Sequence, residues 1–137
     1  MSLAIVCTAR PSYSKLRPVI RALATYGCPL PTLYLTSGTL LHRFGNVIDQ
    51  VRLEFPNLPT VPVYSEFDGY TVETSAKSTA ALLSSLTDAF AWNRPDMVLV
   101  NHDRREVLAA AQAAAYQNIP VAHIGGGEHS GNIDDKV

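Results

Sequence analysis

A chain of 137 residues fits one domain, and at 47% hydrophobic it carries enough apolar material for a packed core. The net charge of −1, with both signs dispersed, lacks the basic stripe of a nucleic-acid binder and the basic patch of a membrane-surface protein, so neither partner is expected. Two cysteines, Cys7 and Cys28, make neither a disulfide framework nor a zinc motif; a reduced thiol in an apolar run suits a cytoplasmic enzyme.

The apolar run Leu3 to Cys7 is too short for a signal-peptide core or a membrane span and reads as a buried strand. Pro11 marks the loop after it. Ser14 is placed to cap a helix running to about Tyr26, with Leu16, Val19, Ile20 and Leu23 at helical spacing. That start puts Pro18 in the first turns, and Gly27 is a natural C-terminal stop. Thr32 to Thr36 reads as a second strand. A short helix is expected within about 40–53, interrupted or weakened by Gly45. Thr60 to Val63 reads as a short third strand, and Pro62 pushes it to a sheet edge. Residues 71–91 carry a helical stripe of Val72, Ala76, Thr79, Leu82, Leu83, Leu86 and Phe90. Met97 to Asn101 has no alternation, as expected of a strand covered on both faces. Arg105 to Gln117 is alanine-rich and helical, and Pro120 to Ile124 is the next strand.

Strand and helix alternate throughout, which predicts an α/β fold: a Rossmann-like parallel sheet with helices on both faces. Ligands of such sheets bind beyond the carboxyl ends of the strands. The chain's polar residues cluster there: Arg10 and Lys15 after the first strand, His102-Asp103-Arg104 after the fourth, and His123 through Asp135 after the fifth. Three loops distant in sequence are therefore expected to meet at one edge.

Arg10 and Lys15 beside a helix N-terminus suit an anion such as phosphate, although two solvated surface charges explain them equally simply. Neither GxGxxG nor GxxxxGK[ST] is present. Asp103 reads as a catalytic carboxylate, a helix N-cap, or both. His102 and Arg104 either orient it, hold a phosphate, or are plain loop residues. In His123-Ile-Gly-Gly-Gly-Glu128 the glycines let backbone approach a ligand, and Glu128 with Asp134-Asp135 places carboxylates near the same rim. The alternative is a glycine-rich surface loop. His102, Asp103, His123, Glu128 and His129 carry metal-ligating groups but show no recognised metal spacing, so neither a metal nor a cofactor is assigned.

At these motifs the chain resembles the hydrolysing UDP-N-acetylglucosamine 2-epimerases, including the N-acetylmannosamine-forming, sialic-acid-pathway branch. Arg10-Pro-Ser-Tyr-Ser-Lys15 resembles the family's first loop, and Thr36-Ser-Gly38 through Phe44-Gly45 its second strand and following loop. Pro95 through Arg104 followed by Glu106 resembles PDxVLVxGDRxE. Asn118 through Glu128 followed by Gly131-Asn-Ile-Asp-Asp135 resembles NIPVAHIHGGExxxGxIDD. The resemblance implies the N-terminal half of a glycosyltransferase-B-like fold, with UDP-sugar held between two domains. The second, C-terminal domain is expected as a partner missing from residues 1–137. The implied reaction eliminates UDP to give a glycal, then adds water. Carried over by motif, Asp103, Glu128 and Asp134 are the acid/base carboxylates, while Arg10, Lys15 and His123 bind substrate. This sequence departs from the pattern at Ala9 and His102, where the family has glycine, and at Gly125, where it has histidine. These losses motivate the competing expectation of a degenerate or non-catalytic sugar-nucleotide binder, inactive without the second domain. A half domain also exposes apolar surface at the cleft, which favours a homo-oligomer.

Overall fold

The computed structural model describes residues 1–69, 71–127, 129, 131 and 135. In chain order, β1 (Leu3–Cys7) leads to α1 (Arg10–Thr25) and β2 (Thr32–Thr36). Two single 3-10 turns follow, Ser37–Thr39 and His42–Phe44, then α2 (Val47–Glu54) and β3 (Thr60–Val63). The chain continues through α3 (Val72–Trp92), β4 (Met97–Asn101), α4 (Arg105–Ala115) and β5 (Val121–Ile124). The strands form one parallel sheet in the order β3-β2-β1-β4-β5. The expected α/β fold, a Rossmann-like sheet with helices on both faces, is thus the fold observed.

Alternation along β1 sends Ala4 and Val6 to one face and Ile5 and Cys7 to the other, and each face has its own core. On the first, Tyr34, Val98 and Val100 join Leu82, Leu86 and Phe90 of α3 and a block of α4 alanines. Ala109, Ala110, Ala113 and Ala114 are fully buried, and their small side chains let α4 lie close against its neighbours. On the second face, Leu33, Leu35 and Leu99 pack against Tyr13, Leu16 and Ile20 of α1 and Val47, Ile48 and Val51 of α2. The chain adds β2 and β3 on one side of β1, then β4 and β5 on the other. The strand order reverses between β1 and β4, and the loops leaving those two strands diverge to opposite faces, opening a crevice at their carboxyl ends.

Several sequence expectations are corrected. α1 begins at Arg10, four residues before Ser14, with Ala9 as an N-cap that has no side-chain acceptor. Pro11 is the first-turn proline, and Pro18 lies inside the helix. It is tolerated because Pro18 and Ser14, whose carbonyl loses its helical donor, both face solvent. Gly27 ends α1 as expected, at φ +67°, with Cys28 N–H donating to the Leu23 carbonyl and Gly27 N–H to that of Ala24. In α3 the buried positions are Ser78, Leu82, Leu86 and Phe90, whereas Val72 is exposed. That helix starts instead from a capping box between Thr71 and Thr74. Pro62 does lie on the edge strand β3. β5 forms the opposite edge, with Val121 and Ile124 partly open to solvent.

α1 and α2 are pinned by one carboxylate. Glu54 accepts from Arg17 Nε at 2.5 Å, Arg21 Nη2 at 2.5 Å and Tyr13 Oη at 3.0 Å. Burial alone would push the Glu54 carboxyl up, but the hydrogen bonds from Arg17 and Tyr13 and the charges of Arg17 and Arg21 outweigh it and hold it below its ordinary value. A depressed carboxylate contributes stability above its unfolded pKa, and that contribution is lost as pH falls through the folded pKa. Glu54→Gln should therefore lower the melting temperature at pH 7, with the gap to wild type closing as pH drops below the carboxylate range. Thermal unfolding followed by circular dichroism at stepped pH checks this; a gap that stays constant with pH would refute it.

Candidate functional site

The carboxyl ends of β1, β2, β4 and β5 bring four loops together. The central contact is buried. Ser12, in the first turn of α1, donates from Oγ to Oδ1 of Asn101 at 2.5 Å, and Asn101 Nδ2 donates back to the Ser12 carbonyl at 3.3 Å. Both residues are at most 2% exposed. This reciprocal pair ties the loop after β1 to the loop after β4, because every polar atom withdrawn from water there needs its partner. Sequence reasoning missed both residues. The signal was present in Asn101, a lone polar side chain ending the apolar run Met97 to Val100.

On that frame sit the expected cations. Arg10 lies at the first residue of α1, where unpaired backbone N–H groups and the helix dipole favour an anion. It lines a cavity of about 660 Å³ together with Gly38, His42, Arg43, Phe44, Gly45 and Arg104, among others. Gly45 has φ +86°, and a side chain there would meet the Arg10 guanidinium at 3.4 Å. The glycine that weakened the helical pattern thus lies beside Arg10. Arg43 was not anticipated, since its position depends on the 3-10 turn that Gly45 terminates. Lys15 does not line this cavity; it turns to the loop after β4, where its Nζ donates to Nδ1 of His102 at 3.4 Å.

Arg104 is held by Glu106, whose side chain is 2% exposed and accepts from Arg104 Nε at 3.2 Å. Arg105 also reaches Glu106 at 3.2 Å and bridges to Glu66 at 2.9 Å, linking the start of α4 to the segment after β3. The N-cap of α4 is Arg104, without a side-chain cap, so the capping reading of Asp103 is not met. Asp103 is largely buried and places Oδ1 3.9 Å from His123 Nε2, while that same nitrogen donates to the His102 carbonyl at 2.9 Å. Gly126 has no room for a side chain: a Cβ there would lie inside contact distance of the His123 ring. Arg10, Lys15, Asp103 and His123 therefore occupy one strand edge. Glu128 and Asp134, the other two expected carboxylates, lie outside the described residues.

The fold is a parallel α/β sheet with cationic groups beside a helix N-terminus at its switch point, an arrangement that favours an anion. The comparisons with known proteins make this specific. The family described as UDP-N-acetylglucosamine 2-epimerase matches residues 34–137, and the chain belongs to that family. It is 32% identical over 133 residues to a UDP-N,N'-diacetylbacillosamine 2-epimerase (hydrolyzing) of Legionella pneumophila, covering 96% of this chain and 35% of that protein. It is 29% identical to a UDP-N-acetylglucosamine 2-epimerase of Neisseria meningitidis serogroup B, covering 93% and 33% respectively. Among solved structures, a Neisseria meningitidis UDP-GlcNAc 2-epimerase bound to UDP-GlcNAc matches with a TM-score of 0.76 at 31% identity, covering 97% of this chain and 34% of that one. The chain spans about a third of the length of the relatives it matches.

Removing one partner of the Ser12–Asn101 pair leaves a buried polar group without its bond. Ser12→Ala should cost about 1–3 kcal/mol in urea unfolding. The double variant Ser12→Ala/Asn101→Leu should cost less than the sum of the two single changes. Strict additivity would show that the pair is not coupled.

Proposed function

We propose that the chain is the N-terminal half of a hydrolysing UDP-N-acetylglucosamine 2-epimerase, converting UDP-N-acetylglucosamine to UDP and N-acetylmannosamine in the manner of the sialic-acid-pathway branch. The observation that carries this reading is the cavity where Arg10, Arg43 and Arg104 converge at the N-terminus of α1, with Asp103 and His123 at the same strand edge. Three guanidinium groups suit a diphosphate, whose negative charge grows as it leaves. Hydrolysing 2-epimerases are among the relatives, and one similar structure is a UDP-GlcNAc 2-epimerase bound to UDP-GlcNAc.

The proposed reaction has two stages. In the first, a base takes the C2 proton, the C1–C2 double bond forms, and the C1–O bond breaks to release UDP. In the second, water adds oxygen to C1 and a proton returns to C2 from the opposite face. Asp103, Glu128 and Asp134 supply the base and acid groups, while Arg10, Lys15 and His123 bind substrate. The expected C-terminal partner domain completes the nucleotide pocket. Two free thiols, one fully buried, agree with a cytoplasmic setting.

The competing reading is a sugar-nucleotide binder without turnover, which the glycine at 125 favours by removing a side chain expected at the rim. A polypeptide joining this chain to a matching C-terminal half separates the two. Release of UDP and N-acetylmannosamine from UDP-N-acetylglucosamine is expected, and Asp103→Asn should lower kcat by roughly 10²–10⁴. Binding without release would establish the binder. Release that survives Asp103→Asn intact would remove Asp103 from the chemistry.

A further inference from the structure

His102 occupies a conformation that its residue type disfavours. It ends β4 at φ +67°, in the left-handed region where a side chain is strained and glycine is the usual occupant. Strain of this kind persists where the surroundings fix it and where the side chain has a use. The surroundings are visible: His102 N–H donates to the Ile124 carbonyl at 3.0 Å, and its own carbonyl accepts from His123 Nε2 at 2.9 Å. These two main-chain bonds lock the residue against β5, and glycine would make both equally well. Only the imidazole is specific to histidine, and it is half-buried against Lys15.

We propose that His102 is a positioning residue for the anion site, its imidazole taking a hydrogen bond from Lys15 and holding that ammonium at the strand edge. Lysine has donors only, so in the 3.4 Å contact Nδ1 of His102 is the acceptor. Lys15 is otherwise a flexible four-carbon stem on an exposed position of α1. Without the ring it must be ordered anew each time an anion binds, and that ordering weakens affinity. The same residue thus sets two binding groups, Lys15 through its side chain and His123 through its carbonyl. The inference rests on the proposed reading of Lys15 as a substrate cation.

Glycine and asparagine at position 102 separate the roles. Both accept a positive φ, glycine without a side chain and asparagine with an acceptor oxygen. UDP is titrated by calorimetry into the polypeptide that joins this chain to a matching C-terminal half, with thermal unfolding in parallel. His102→Gly should raise the melting temperature by a few degrees through relief of the strained backbone. It should also weaken UDP binding roughly three- to tenfold, through the cost of ordering the Lys15 side chain anew. His102→Asn should recover part of that affinity. A purely structural histidine would move stability and leave affinity unchanged, and that result overturns the proposal. Failure of asparagine to recover any affinity overturns the acceptor role. If the wild-type protein shows no response to UDP, the anion-site reading falls and this inference falls with it, whereas a wild-type response equal to that of His102→Gly defeats the inference alone.

Discussion

The site depends on one buried exchange of hydrogen bonds, between Ser12 and Asn101. β1 and β4 are neighbours in the sheet, but the helices that follow them leave to opposite faces. Apolar packing would be satisfied by many small rotations of α1 over its face. A polar pair sealed from water is satisfied by few, because each atom must meet its counterpart in distance and direction. The exchange therefore fixes where α1 begins relative to the end of β4. With that set, Arg10 reaches the cavity from one side and Arg104 from the other. The buried Glu106 then holds Arg104 in place from behind.

Around this pair the chain changes direction through unusual backbone. Ser37 at φ +49° turns the chain off β2, Gly45 at φ +86° ends the turn that carries Arg43, and His102 at φ +67° turns it off β4. Each lies just beyond a strand or a short turn, where the sheet's ladder no longer dictates conformation. A left-handed residue changes the chain's direction in a single step, so a side chain can be aimed across the crevice rather than along the strand. The sheet supplies rigidity, and these breaks in it supply direction.

Much of this was readable from the amino acids. The five strands stand out as apolar runs, because a parallel sheet covered on both faces needs side chains of one kind on each. Arg10, Lys15, Asp103 and His123 could be grouped in advance because loops at one end of a parallel sheet must converge. Cases where a local signal competed with tertiary packing were not readable. Ser14 has the chemistry of a cap, yet α1 starts at Arg10 because the buried bond of Ser12 needs helix there. Val72 fits the stripe of α3 by spacing, but it is exposed, and the helix buries Ser78, Leu82, Leu86 and Phe90. Asp103 looked like a cap, but α4 begins one residue later, with Arg104 at the cap position. Arg43 reaches the cavity through a turn whose geometry no periodicity encodes.

The two cysteines divide the molecule into poles. Cys7 is fully buried at the end of β1, and desolvation pushes its thiol up to about 12, so it presents almost no thiolate at neutral pH. Cys28 is exposed just after the glycine that ends α1, at the edge of the sheet from which the strands depart. A thiol-directed dye or spin label therefore attaches at a single point, on the side of the sheet remote from the crevice. The chain already carries a reporter handle away from the cavity.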